Sequence, residues 1–145
     1  MLKEKLIDKV RVVEKVETWK DAIRLAAEPL LEAKSINETY IEAMIENVKK
    51  FGTYMVIAPK IAMPHSRPED GVNENCIALL KVNESFMFGY EDDEENKVNL
   101  LFVIGAVDNN SHINTLTELM DIVDDEDKVE EIIKADTVEK IMELI

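Results

Sequence analysis

One cysteine in 145 residues leaves no partner for an intramolecular disulfide, so the fold has to hold without covalent staples, as suits a reducing compartment. That cysteine, Cys76, lies in the apolar run Cys76-Ile77-Ala78-Leu79-Leu80 and reads as a small core residue. A chain of this length can bury roughly 68–70% of the surface its unfolded form exposes, enough for a core without metal or disulfide. Long hydrophobic runs are missing too. The longest, Leu100 to Val107, falls far short of the ~20 residues a membrane helix requires. At the start, Met1-Leu2-Lys3-Glu4-Lys5-Leu6-Ile7-Asp8-Lys9 interrupts its apolar residues with charge and does not read as a signal peptide. A cytoplasmic protein without direct membrane insertion is expected.

Positive charge is also scarce. Seventeen basic residues against 31 acidic ones give a net charge of −14, which argues against nucleic acid and against anionic membrane surfaces as partners. A negative ligand would have to be held by local groups, since the overall field repels it. The chain has no Gly-x-x-x-x-Gly-Lys loop to cradle nucleotide phosphates, so no cofactor is expected, and a phosphoryl group would have to arrive on another protein.

Strands interleaved with helices predict a single α/β domain over residues 1–145, a sandwich with a central mixed sheet flanked by helices. The β-branched set Val10-Arg11-Val12-Val13 predicts a short strand. Thr18 is placed to cap a helix that buries Trp19, Ala22, Ile23, Ala26, Ala27 and Leu30, with Pro29 expected to kink or tighten it by removing a hydrogen bond to Leu25. A second helix is expected from about Asn37, with Ile41, Met44, Ile45 and Val48 inward and Gly52 as its C-cap. Tyr54-Met55-Val56-Ile57 reads as a buried strand leading straight into a proline-rich loop. A further strand is expected over Cys76 to Val82, followed by a polar excursion from Asn83 to Asn96 that includes the acidic run Glu91-Asp92-Asp93-Glu94-Glu95. Val98 to Val107 is apolar enough to be covered on both faces. Asp108-Asn109-Asn110-Ser111 offers several caps for a helix with Ile113, Leu116, Leu119, Met120 and Val123 inward and His112 in its first turn. Two short helices close the chain, around Val129, Ile132 and Ile133, and after Thr137.

The chemistry gathers at Ala58 to Gly71, which holds three of the four prolines, one of two histidines and Arg67. Pro59, Pro64 and Pro68 make helix improbable there, so His65 should sit on a rigid loop. Histidine is the side chain whose unperturbed pKa lies closest to neutral, and a neutral imidazole is a competent nucleophile. His112 sits where a helix start offers unpaired N–H groups to an anion. If the strand carrying His65 lies beside the one ending at Val107, the two histidines and that helix start surround one small anion site. Such a set suits phosphoryl transfer, where positioning and charge stabilisation carry the catalysis. The plainer alternatives are an exposed loop histidine and a histidine in a capping turn. A zinc site using Asp70 or Asp108 is a third, although the spacing matches no compact ligand pattern.

The segment from Tyr54-Met55-Val56-Ile57 through Ala58-Pro59-Lys60-Ile61-Ala62-Met63-Pro64-His65-Ser66-Arg67-Pro68-Glu69-Asp70-Gly71-Val72 resembles the active-site segment of enzyme IIA of the bacterial sugar phosphotransferase system, mannitol/fructose class. It is most similar to the ascorbate-type branch, and the likeness runs through Ser111-His112 to the final helices. The resemblance implies a phosphotransferase component in which His65 is the phosphoacceptor and His112 the second active-site histidine. It implies HPr as phosphoryl donor, and as acceptor a cysteine of enzyme IIB, which serves a membrane enzyme IIC carrying ascorbate or another pentitol or hexitol. A homodimer is left open. Mannitol-type members carry an arginine shortly before the motif, where this chain has Val48-Lys49-Lys50-Phe51, so Arg67 or a lysine is the candidate for contacting phosphate or partner. The alternative role is a regulatory interaction module of the same fold that senses phosphorylation without serving transport.

Overall fold

The computed structural model describes residues 2–90, 93–108, 110 and 112–145. Glu91 and Asp92 of the acidic run, and Asn109 and Ser111 among the candidate caps, lie outside the described residues. Along the chain come α1 (Leu2–Lys5), β1 (Val10–Val13), α2 (Trp19–Glu32), α3 (Glu38–Phe51), β2 (Val56–Ala58), β3 (Lys60–Ala62), β4 (Cys76–Met87), β5 (Lys97–Gly105), α4 (Ile113–Val123), α5 (Glu126–Lys134) and α6 (Val138–Leu144).

The strands form one mixed sheet in the order β1-β4-β5-β3-β2, with β1 parallel to β4, β3 parallel to β5 and the other pairs antiparallel. Because side chains alternate across a sheet, β4 sends Cys76, Ala78, Leu80 and Val82 toward α2 and α3, and Ile77 and Leu79 toward α1, α4, α5 and α6. Leu101 and Val103 of β5 join the first layer, and Leu100 and Phe102 the second. Two covered faces explain why both runs are almost continuously apolar. This is the expected α/β sandwich with a central mixed sheet. Burial pushes the Cys76 thiol up to about 12, so it stays protonated and packs as a small core group.

Thr18 caps α2 by accepting the Asp21 N–H at 3.2 Å. The helix passes through Pro29 without ending. The Leu25 carbonyl that proline cannot bond instead accepts from Arg11 Nη1 at 3.3 Å, and the same guanidinium pairs with Glu28 at 3.0 Å.

Three expectations need correction, and one element was not foreseen. Tyr54 to Ile57 is not the strand that delivers His65. The chain pairs back on itself, because Lys60 takes a left-handed φ of 71° after Pro59 and turns β2 into the antiparallel β3, which is the strand inserted beside β5. β4 does not stop at Val82. It continues through exposed Asn83, Glu84 and Ser85 to Met87, its register shift against β5 tied by Asn99 Nδ2, which donates to the Val82 and Asn83 carbonyls at 2.9 and 3.3 Å. The charged N-terminus forms a short helix, α1, that buries Leu2 against the second layer. Ile113 is 52% exposed rather than inward, since it opens α4 before the helix meets the sheet. Among the described residues, no helix is long and apolar enough to cross a membrane.

Candidate functional site

β3 ends at Ala62, and the Met63 N–H donates to the Met55 carbonyl at 2.8 Å, fixing the direction in which the chain leaves the sheet. Pro64 is buried and His65 half-buried behind it. His65 Nδ1 lies 2.9 Å from the Met63 carbonyl oxygen. A carbonyl can only accept, so in the neutral ring Nδ1 carries the proton and the lone pair resides on Nε2. The ring also meets the Tyr54 ring edge-to-face, with centroids 6.1 Å apart.

Beyond His65 the backbone is pinned by side chains. Ser66 Oγ donates to Asp70 Oδ2 at 2.5 Å and accepts from Asn47 Nδ2 at 3.1 Å, while the Arg67 N–H donates to the same Asp70 oxygen at 3.2 Å. The Ser66 N–H reaches the Tyr40 hydroxyl. Pro68-Glu69-Asp70 makes one 3-10 turn ending at Gly71, whose φ of +135° disfavours other residues. A Cβ there would lie 2.6 Å from Thr39 Oγ1, so the turn packs directly on the start of α3.

His112 is the N-cap residue of α4, one position before its first turn, and its side chain makes no capping hydrogen bond. Asp108 is not the cap, because its carboxylate accepts the Asn110 N–H at 2.9 Å. The His112 ring is oriented by exclusion. Its Nδ1 is shut off from solvent with no hydrogen-bond partner among the described residues. A buried N–H without a partner costs about 1–3 kcal/mol, which favours the proton on Nε2 in the neutral ring. In that tautomer His112 would present a donor at Nε2 where His65 presents an acceptor.

His65, Arg67 and His112 line one cleft of about 690 Å³, together with Asn47, Lys50 and Asp108. The condition set by the sequence is met, since β3 runs parallel to β5 and both histidines follow the ends of these neighbouring strands. Among the described residues, neither Lys50 nor Arg67 takes part in an ion pair, and both are exposed. Asp70, the carboxylate considered for zinc, is occupied by Ser66 and the Arg67 N–H. No group of three His, Cys, Asp or Glu side chains among the described residues is arranged to hold a metal ion. Tyr40 and Asn47 are site residues that sequence reasoning missed. Their spacing of seven places them on one face of α3, and a polar Asn beside the apolar stripe was the available signal.

An imidazole whose neutral form keeps its lone pair on Nε2, a second imidazole in the same cleft and two cations without ion pairs among the described residues can accept a phosphoryl group and release it again without holding a nucleotide. That is the chemistry of a phosphocarrier. The chain belongs to the family described as "Phosphoenolpyruvate-dependent sugar phosphotransferase system, EIIA 2", which matches residues 5–145, and it is accordingly a phosphotransferase component that transfers phosphoryl groups. It is 30% identical over 137 residues to the ascorbate-specific PTS system EIIA component of Escherichia coli strain K12, covering 94% of this chain and 88% of that one. The solution structure of the mannitol-specific cryptic phosphotransferase enzyme IIA CmtB from Escherichia coli superposes with a TM-score of 0.90 at 26% identity, over 99% of this chain and 96% of that one. Enzyme IIA-Mtl from Escherichia coli, in its complex with phosphorylated enzyme IIB-Mtl, matches with a TM-score of 0.79 at 29% identity, over 94% and 93% of the two chains.

Proposed function

We propose that His65 Nε2 takes the phosphoryl group from phospho-HPr and passes it to a cysteine of enzyme IIB, in the cytoplasm, on behalf of a membrane enzyme IIC of the ascorbate type. The observation that carries this reading is the Met63 carbonyl on His65 Nδ1, which leaves Nε2 as the nucleophilic nitrogen. In the first half-reaction the Nε2 lone pair attacks the donor's phosphorus. A new N–P bond forms as the donor's N–P bond breaks, and the electron pair returns to the donor's ring. In the second, the IIB thiolate attacks the same phosphorus, an S–P bond forms, and the pair returns to His65 Nε2. His112 Nε2–H and the start of α4 share the negative charge that moves between the partners.

Two features support a protein rather than a small molecule as phosphoryl donor. Phe51 and Tyr54, 65% and 52% exposed, line the cleft, while exposed Val107 lines an adjoining hollow with Arg67 and Pro68, and exposed Ile113 follows His112 in the chain. Such a patch lets a strongly acidic chain dock a partner through apolar contact. Ascorbate as the sugar rests on the names of the relatives, with other pentitols or hexitols as the remaining choices.

The test is spectroscopic. After incubation with phosphoenolpyruvate, enzyme I and HPr, ¹⁵N shifts of the imidazole should place phosphorus on Nε2 of His65, and the unphosphorylated protein should show the His65 proton on Nδ1 and the His112 proton on Nε2. Phosphorus on Nδ1 of His65, or on His112, would overturn the assignment.

Arg67 is proposed to contact the phosphoryl oxygens or the incoming carrier, since a planar guanidinium without an ion pair suits phosphate. Arg67→Ala should slow transfer from phospho-HPr by about tenfold, the lower end of what one hydrogen bond to a charged group is worth. Kinetics equal to the parent would make Arg67 a solvated surface charge.

A further inference from the structure

We infer that Tyr40, a residue of the α3 core, is a positioning residue for His65, holding the loop to the end of β5 through a single buried hydroxyl. The inference rests on His65 being the phosphoacceptor.

Both peptide groups flanking His65 are anchored to one residue. On the N-terminal side, the Pro64 carbonyl accepts from the Ile104 N–H at 3.4 Å. On the C-terminal side, the Ser66 N–H donates to the Tyr40 hydroxyl at 3.0 Å, and that hydroxyl donates to the Ile104 carbonyl at 2.5 Å. Ile104 thus commits its N–H directly and its C=O through the tyrosine. Ile104 is also the next-to-last residue of β5, which ends at Gly105. The loop carrying the nucleophile is therefore referenced to a single residue at the end of that strand.

The hydroxyl is not interchangeable with water. Tyr40 is 0% exposed and its bond to Ile104 is buried, so removing the oxygen leaves the Ile104 carbonyl without that partner and unties the Ser66 N–H from it. Burial pushes the phenol well above its ordinary pKa, keeping it a donor to Ile104 at every physiological pH. In phosphoryl transfer the protein's contribution is mostly alignment, and displacements of about an ångström cost large factors in rate.

A core ring alone predicts something different from a positioning hydroxyl, and Tyr40→Phe separates them. For Tyr40→Phe in the full chain, assayed well below its melting temperature, kcat for transfer from phospho-HPr should fall about tenfold while KM stays within about twofold, since docking surfaces are untouched. The His65 Nδ1–H signal should broaden or exchange faster as the loop loosens. Ile132→Val, in the opposite core layer, serves as a control that lowers stability without touching the site. If Tyr40→Phe retains the parent's kcat, or loses rate only in proportion to its loss of stability as the control does, the positioning role is overturned. If Tyr40→Phe does not fold, hydrogen exchange in the parent decides. Strong protection of the Ser66 amide supports the clamp, and exchange as fast as an unbonded surface amide overturns it. A failure of the underlying reading is distinguishable, because it would appear as phosphorylation of His65→Ala rather than as an unchanged Tyr40→Phe.

Discussion

His65→Ala protein incubated with phosphoenolpyruvate, enzyme I and HPr is expected to take up no acid-labile phosphoryl group, while the parent takes up one per chain. The effect should be total rather than partial, because a covalent carrier has no substitute for the atom that forms the N–P bond. His112 is not an alternative acceptor of equal standing. Its Nδ1 is buried, and the tautomer that leaves no unpaired N–H there puts the proton on Nε2. The substitution is expected to leave the fold intact, since the loop is held by Met63, Ser66, Arg67 and Asp70 through backbone and hydroxyl groups that alanine does not disturb. Circular dichroism within error of the parent, together with absent label, is the outcome that assigns the acceptor. Label at the normal rate would remove His65 from that role.

The second large effect is expected at His112. Under the proposed assignment its Nε2–H bonds the phosphoryl oxygens while the first backbone N–H groups of α4 share the charge, so the ring contributes without carrying phosphorus. A lost hydrogen bond to a charged group costs roughly 1.5–3 kcal/mol, which corresponds to about one to two orders of magnitude in rate. His112→Ala should therefore still be phosphorylated on His65 but lose that factor in at least one half-reaction. Delivery to the IIB cysteine is the more exposed step, because the moving charge is then being drawn away from His65. Rapid-quench kinetics of both half-reactions decide the matter. Parent rates in both would make His112 structural.

What could be read in advance divides along physical lines. The layers of the sandwich were legible because β4 and β5 are apolar on both faces and the helices carry strong apolar stripes, and these patterns follow from burial alone. The N-caps at Thr18 and Thr137 were legible because a hydroxyl at that position answers a specific backbone need. The β2–β3 hairpin was not, since it depends on Lys60 adopting a left-handed backbone that its side chain does not advertise, and on two strands of three residues each. The continuation of β4 through Asn83 was hidden because the side chain that bridges the irregularity, Asn99, lies on the neighbouring strand. In the site, the histidines and Arg67 stood out by residue type and by the prolines around them. Tyr40 did not, because a tyrosine in an apolar helix stripe looks like packing until its hydroxyl is seen between Ser66 and Ile104.

The parallel pairing of β3 with β5 has a consequence for traffic through the carrier. Both chains leave the sheet at the same end, so both histidines open on one cleft with one mouth. A donor protein and an acceptor protein that, under the proposed assignment, each bring a reactive atom to His65 Nε2 share that cleft, which then serves as a single berth. Under the proposed assignment, an excess of unphosphorylated HPr would slow delivery to enzyme IIB simply by occupying the berth, and throughput would be set by the ratio of the two partners as much as by the chemistry between them.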